Sequence, residues 1–421
     1  MAEIKAFRGI RYNQAKVVLD DVTAPPYDII SPQEREGLYE KSPHNIVRLD
    51  FGQILTTDTD NDNRYTRAAA DLSKWLEEGV LVKDNTPTLY VYRQNFSRDG
   101  IPAKITGIVC LVKLTEFGED VLPHEKTLSG PKRDRRRLLE ACETNFSQVF
   151  ALYSDRGGAM NEVLRSATAG EPEMTTIDAN GVVHQIWSAT SQETIETVAH
   201  ALADRKLLIA DGHHRYETSL NYMKDMRGSG RARDSYNYIM MFLVDMVHEN
   251  LIILPTHRVI KKDGFDLDPF LAGLPDTIEV SKGRWKPRTA EEAGRDGQSV
   301  RFGLYADGRL FSLRGDRELL AEGLTVSNSS AWKRLDTSLL QETILGPHLG
   351  VSSGDGSLSF TQSDVEAKRR VDASEASLAV LLEPMLMDTV ETVAATGDKM
   401  PQKSTYFYPK PRTGLILRDL E

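Results

Sequence analysis

Between Lys206 and Glu217 the chain reads KLLIADGHHRYE, and few architectures accommodate that succession. The apolar run Leu207–Ala210 has the length and composition of a buried strand. Asp211-Gly212 breaks it, and a helical spacing of Tyr216, Leu220 and Met223 follows. Gly212 lets the backbone turn tightly and approach a ligand. A helix starting here presents unpaired N–H groups and a partial positive charge. His213, His214 and Arg215 add three cationic or titratable side chains, which makes an anion site with phosphate as the obvious anion. The alternative is a plain strand–helix connection with exposed polar residues, but a turn does not need three such side chains.

The rest of the chain bounds this reading. Its 421 residues suffice for two or three domains with a sizeable core. A net charge of −10 argues against nonspecific nucleic-acid binding, so nucleic acid is not an expected partner. The one dense basic run, Lys132–Arg137, is interrupted by Asp134. Two cysteines, Cys110 and Cys142, sit among apolar residues and fit a reducing compartment without a disulfide framework. The amino-terminal segment MAEIKAFRGIRY has no apolar signal region, and no segment reaches membrane-spanning length, so the cytoplasm is the default expectation.

Strands and helices intermix along the chain. Residues 58–63 read as a loop, followed by a helix over 65–78 with Ala68, Leu72, Trp75 and Leu76 on one face and Gly79 as its stop. Strands are expected over 88–94 and 105–114, and a helix from Ser129-Gly130-Pro131 to near Asn145. A turn at 178–181 separates two strands, and Ser191 caps a helix leading into the DGHHR strand. Tyr238–Val244 and Leu251–Leu254 read as antiparallel strands joined by a polar turn over 247–250. VRFGLYADGRLFSLRG reads as a hairpin turning at Asp307-Gly308, and Asp336 as the cap of a further helix. A last helix is expected near 384–395. The fold class expected is mixed α and β (α+β) with antiparallel hairpins, in three regions: 1–150, 151–264 (holding DGHHR) and 265–421. No P-loop, Rossmann glycine fingerprint or zinc signature is present.

Four further clusters carry chemistry-bearing residues at strand ends. In PHEKTLSGPKRDR, His124, Glu125, Lys126 and Thr127 precede a helix bearing Lys132, Arg133 and Arg135, a set suited to acid/base, metal and phosphate roles. The alternative is a solvated loop leading into a charged helix face. Arg135, Arg136 and Arg137 cannot all face one way. In APPYDIIS, prolines place Tyr27 and Asp28 in a rigid turn, either as punctuation or as part of a site. LPTHRV places His257 and Arg258 beside a strand. MPQKSTYFYPK offers Lys403, Ser404 and Thr405 to a phosphate, while its aromatics suit core packing. Lys, Arg, His, Ser and Thr beside carboxylates form the toolkit of phosphoryl transfer.

These segments, with HNIVRLDF, resemble in order the hallmark segments of the bacterial and archaeal domain-of-unknown-function 1015 family. ADGHHR is also similar to the signature of archaeal ADP-dependent free serine kinases of the ParB–sulfiredoxin superfamily. That resemblance implies a ParB/sulfiredoxin-like core in which Asp211, Gly212, His213, His214 and Arg215 form the phosphate and catalytic segment. It leaves open whether Glu125 or Glu217 stands for the kinases' catalytic glutamate.

The expected function is a small-molecule phosphotransferase or phosphatase acting on serine, phosphoserine or a similar phosphorylated metabolite. A nucleotide or pyrophosphate would serve as phosphoryl donor. Gly212, the following amides and Arg215 would hold the phosphate, and His213 or His214 would act as general acid/base. Lys126, Thr127, Lys132, Arg133, His257, Arg258, Lys403 and Ser404 are the further phosphate- or nucleotide-binding candidates. Asp211 or Glu125 would bind Mg²⁺ or activate the hydroxyl, and His124 joins the acid/base candidates. The rival reading is a nucleotide-binding ParB-like regulator without significant turnover. Expected partners are a small phosphorylated metabolite or a nucleotide and no membrane, with homo-oligomerisation left open.

Overall fold

The strand Leu207–Asp211 forms where the apolar run ends in Asp-Gly, and all five of its residues are buried. In this computed structural model, residues 2–98, 100–247, 250–283, 285–352 and 356–421 are described. Contacts divide the chain into two units. One comprises the chain up to Leu122, Thr127–Leu251 and Pro409–Glu421, and the other comprises Pro123–Lys126 and Ile252–Tyr408.

The first unit is built on a mixed nine-stranded sheet. Its order is Val121–Leu122, Leu207–Asp211, Val149–Tyr153, Tyr238–Asp245, Ile101–Lys113, Leu89–Arg98, Val183–Ala189 and Met174–Ile177, with Ile4–Lys5 also pairing with Ile101–Lys113. Ile105 to Val112 are buried without alternation, which requires cover on both faces. Val198 and Leu202 of the helix Gln192–Ala203 join this core, as do Tyr216, Leu220 and Met223 of the helix His213–Gly228. Pairing of Leu207–Asp211 with Val149–Tyr153 is antiparallel and slips between Ile209 and Asp211. A bulge of this kind re-aims side chains. It brings the carboxyl end of the DGHHR strand beside Ser147 and Gln148, which lead into the neighbouring strand.

The second unit carries a six-stranded antiparallel sheet ordered Ile278–Lys282, Arg309–Asp316, Ser299–Ala306, Leu378–Leu381, His257–Ile260 and Leu358–Thr361. Its central hairpin pairs Ala306 with Arg309 around Asp307-Gly308. Both turn residues have positive φ (50° and 67°), as a two-residue hairpin turn with the sheet's twist requires.

The mixed α+β class expected from sequence is what the structure has, and several element readings need correction. Tyr238–Asp245 lies inside the first sheet, whereas Ile252–Ile253 pairs with Phe407–Tyr408 in the second unit, so the expected hairpin does not form. Residues 248 and 249 of its expected turn lie outside the described residues. Non-local pairing won over the nearer partner. The same cause joins the regions 1–150 and 151–264, since Val149–Tyr153 and Leu89–Arg98 pair with strands beyond residue 180. The helix after Leu128 ends at Cys142, where Glu143 takes a left-handed conformation. Leu76 is 37% exposed, off the buried face of Arg64–Glu77. Asp336 makes no cap bond and instead pairs with Arg317. Among the described residues no helix is long and apolar enough to cross a membrane. Burial pushes both cysteine thiols up, Cys142 to about 12, which suits unreactive packing.

Candidate functional site

Gly212 adopts φ +96°, and a side chain there would strike the Arg215 guanidinium, with Nη2 at 2.9 Å and Nε at 3.0 Å from the added carbon. The arginine therefore folds back over the glycine at the start of its own helix. Its Nη1 donates to Ser147 Oγ (2.8 Å) and to the Gln148 carbonyl (2.7 Å), and its Nη2 to Asp211 Oδ2 (2.7 Å). The other oxygen of Asp211 accepts from Lys410. Arg215 Nε is buried and has no hydrogen-bond acceptor among the described residues. That is costly for a charged donor and leaves one N–H for an incoming anion.

Arg215 also lines a small cavity, about 40 Å³, where Asp50, Arg135, Ser147, Thr218 and Ser219 stand among Leu138, Leu139, Phe146 and Ile239. Arg135 is buried, and its Nη1 donates to Asp50 Oδ1 (2.7 Å) while Nε and Nη2 donate to Asp134 Oδ2 (2.9 and 2.6 Å). The guanidinium carbon lies 3.9 Å from the centre of the Tyr27 ring, within cation–π range. Asp134 is held in turn by Arg64 and Tyr65. Burial pushes the Asp50 carboxyl above its ordinary range, and Arg135 and Arg215 oppose that rise. Desolvation likewise raises the Tyr27 phenol.

Two helix starts meet beside this cavity. The Leu128 N–H, at the cap of the helix Ser129–Cys142, donates to His214 Nε2 at 2.9 Å. His214 thus does the work of a missing side-chain cap, and Nε2 is the unprotonated nitrogen in that bond. Glu217, one turn further on, accepts from Thr127 and from Lys132 Nζ (2.7 Å). His213 is buried at the first position of its helix and does not line the cavity.

The structure thus gathers Asp211, Gly212, His214, Arg215, Thr127 and Lys132 of the expected residues, together with Glu217. Arg133 and Lys126 are exposed on the outside of their segments. His124, Glu125, His257, Arg258, Lys403 and Ser404 belong to the second unit, where most of them hold the interior together. His124 is fully buried, bonded through Nε2 to Thr405 Oγ1 (2.7 Å), with its ring edge-on to Phe407. His257 Nδ1 accepts from the Leu382 N–H (3.1 Å), and burial lowers its pKa to about 4, so it is neutral. Arg258 is buried, donates to the Thr256 and Gln402 carbonyls, and lies within electrostatic reach of Glu125. Ser404 bonds Thr337 and the Pro401 carbonyl. Lys403 is exposed in a left-handed turn. Of this group, His124, His257, Arg258 and Ser404 are buried and hydrogen-bonded within the second unit.

Sequence reasoning missed Asp50, Ser147 and Lys410; it named Arg135 only as one of a basic cluster and left Tyr27 open between punctuation and site. Lys410 was within reach, as the last letter of MPQKSTYFYPK. Asp50 lies in HNIVRLDF, where a short helix buries it. Among the described residues no three His, Cys, Asp or Glu side chains are placed to hold a metal. With both Asp211 oxygens bonded to cations, that residue does not fit the Mg²⁺ role expected of it.

A family profile described as a protein of unknown function, DUF1015, matches residues 4–338. The chain belongs to the DUF1015 family. No curated protein matches it. Among solved structures, a conserved hypothetical protein from Pyrococcus furiosus aligns at 13% identity and a TM-score of 0.36, covering 74% of this chain and 95% of that one. A free serine kinase in complex with AMP aligns at 12% identity and a TM-score of 0.36, covering 71% and 86%. SbnI from Staphylococcus aureus, truncated at its C-terminus, aligns at 10% and 0.35, covering 73% and 85%.

Proposed function

We propose that this DUF1015 protein binds a phosphate ester of a small metabolite in its first unit and transfers or hydrolyses the phosphoryl group. The observation that carries the reading is one small cavity lined by two guanidinium groups from different helices, one buried carboxyl and four hydroxyl residues, with Leu138, Leu139, Phe146 and Ile239 completing its walls. Arginine forks match phosphate geometry, and a dry site strengthens each contact.

In this mechanism Arg215, with its unmet Nε–H, and Arg135 hold the phosphoryl oxygens. Ser147, Thr218 and Ser219 add hydroxyl donors. Asp211, itself held by Lys410, positions Arg215. As the hydroxyl oxygen of the acceptor or of water bonds phosphorus, the bond from phosphorus to the donor's bridging oxygen breaks and that oxygen leaves with the rest of the donor, while the hydroxyl proton goes to Asp50, the carboxyl that lines the cavity and that burial has made more basic. The acid/base role expected for His213 or His214 passes to it, because His214 is committed to Leu128 and His213 stands outside the cavity. His214 and Glu217 fix the two helix starts against each other.

Serine and phosphoserine are the first substrates to test, since ADGHHR resembles the free serine kinase signature. The test is a thermal-shift screen of the full chain with serine, phosphoserine, ADP, ATP, CTP and pyrophosphate, repeated on Arg215→Ala. Stabilisation by one phosphorylated ligand that disappears in the variant supports the reading. A wild type that no phosphorylated compound stabilises, at concentrations far above a plausible Kd, overturns it.

A further inference from the structure

The second unit contains a larger and chemically different cavity, about 450 Å³, a volume typical of small-molecule sites. Its apolar walls come from Leu335, Leu382, Leu386 and Val393, with Pro255, Pro384 and Ala331 among the other lining residues. Four of these, from Leu382 to Val393, lie beyond the family match that ends at residue 338.

Both arginines on these walls, and the carboxylates Asp336 and Glu383, are paired inside the protein. Arg317 pairs with Asp336 and donates to the Arg334 and Gly297 carbonyls. Arg334 pairs with Glu318. Glu383, almost fully buried, takes a two-pronged contact from Arg288 (2.9 and 2.6 Å) and a further one from Arg301. Asp388 stands at the exposed rim. Thr256 is different: it lines the cavity, is 2% exposed, and its hydroxyl has no hydrogen-bond partner among the described residues. An unmade bond of this kind costs stability unless a guest completes it.

We infer that this cavity binds an uncharged amphipathic small molecule, its apolar body against Leu335, Leu382, Leu386 and Val393 and its polar end on Thr256. An anion entering here loses its hydration and meets cations that are already neutralised. The inference is independent of phosphate binding in the first unit.

The test uses the full chain and the uncharged fluorescent probe N-phenyl-1-naphthylamine. Its fluorescence should rise saturably with one equivalent bound. Ala331→Trp, which fills the cavity from its wall, should weaken that binding by about tenfold or more while Arg215→Ala leaves it unchanged. Octanamide should displace the probe at concentrations about tenfold or more below octanoate. Thr256→Val should weaken octanamide by roughly fivefold, the worth of one hydrogen bond. Non-saturable fluorescence, wild-type affinity in a folded Ala331→Trp, or octanoate displacing as well as octanamide overturns the proposal. If Ala331→Trp does not fold, the octanoate comparison and Thr256→Val still decide it.

Discussion

Replacing Arg135 by methionine tests the buried charge network most sharply. Arg135 and Asp50 are each about 6% exposed at the side chain and 2.7 Å apart. Methionine fills similar volume but leaves Asp50 buried without its counter-charge. Removing one partner of a buried pair costs about 3–5 kcal/mol. At roughly 2–4 °C per kcal/mol for a unit of this size, the melting temperature should fall by roughly 6–20 °C at pH 7. The loss should depend on pH with a definite sign. Asp50 in the variant has a folded pKa raised further above its unfolded value, so the penalty is full above that folded pKa. It disappears as pH falls through it and the carboxyl takes up a proton. Arg135→Met/Asp50→Asn should regain most of the stability, since a neutral amide replaces the stranded charge. The assay is thermal unfolding followed by circular dichroism from pH 5 to 8. A loss below about 1 kcal/mol, the range of a surface pair, would refute the reasoning. So would a loss that is flat with pH, or a double variant no better than the single one.

Three other outcomes follow from the same contacts. Gly212→Ala forces a side chain into a φ of +96° and against Arg215. It should cost about 1–2 kcal/mol in urea unfolding and abolish phosphate-ester stabilisation, because the guanidinium must move. His257, with a folded pKa of about 4 against an ordinary 6.5, contributes stability that is present above pH 6.5 and lost as pH falls towards 4, about 3 kcal/mol in all. His257→Gln should flatten that part of the acid limb, measured as the pH dependence of urea midpoints. His214→Ala leaves the Leu128 N–H without its acceptor and should cost about 1 kcal/mol, read as faster amide exchange in the first turn of the helix Ser129–Cys142.

Local chemistry made the DGHHR turn legible. An apolar run, a glycine and a helical spacing required strand, turn and helix in that order, and all three formed. The cap at Ser191 and the Asp307-Gly308 hairpin were equally readable, because each depends on residues within a few positions. The cavity was not, since its walls come from five separated stretches that only sheet pairing brings together. Arg135 illustrates the difficulty: three arginines in a row look alike in sequence, and helix phase alone buries one against Asp50. His257 and His124 illustrate the converse, chemistry-bearing residues whose hydrogen-bond partners lie far along the chain and hold a core together. The pairing of Ile252–Ile253 with Phe407–Tyr408 has no local signal at all.

The central claim is phosphoryl transfer in the first unit, and ³¹P NMR of the full chain tests it most directly. Time courses with serine plus ADP, ATP or pyrophosphate, and with phosphoserine alone, should show a new phosphomonoester or inorganic phosphate resonance. Asp50→Asn should slow that conversion by a factor of about 10² or more while still binding the phosphate ester, as expected when a general base is lost. No conversion of any of these compounds by the wild type, or full-rate conversion by Asp50→Asn, contradicts the account.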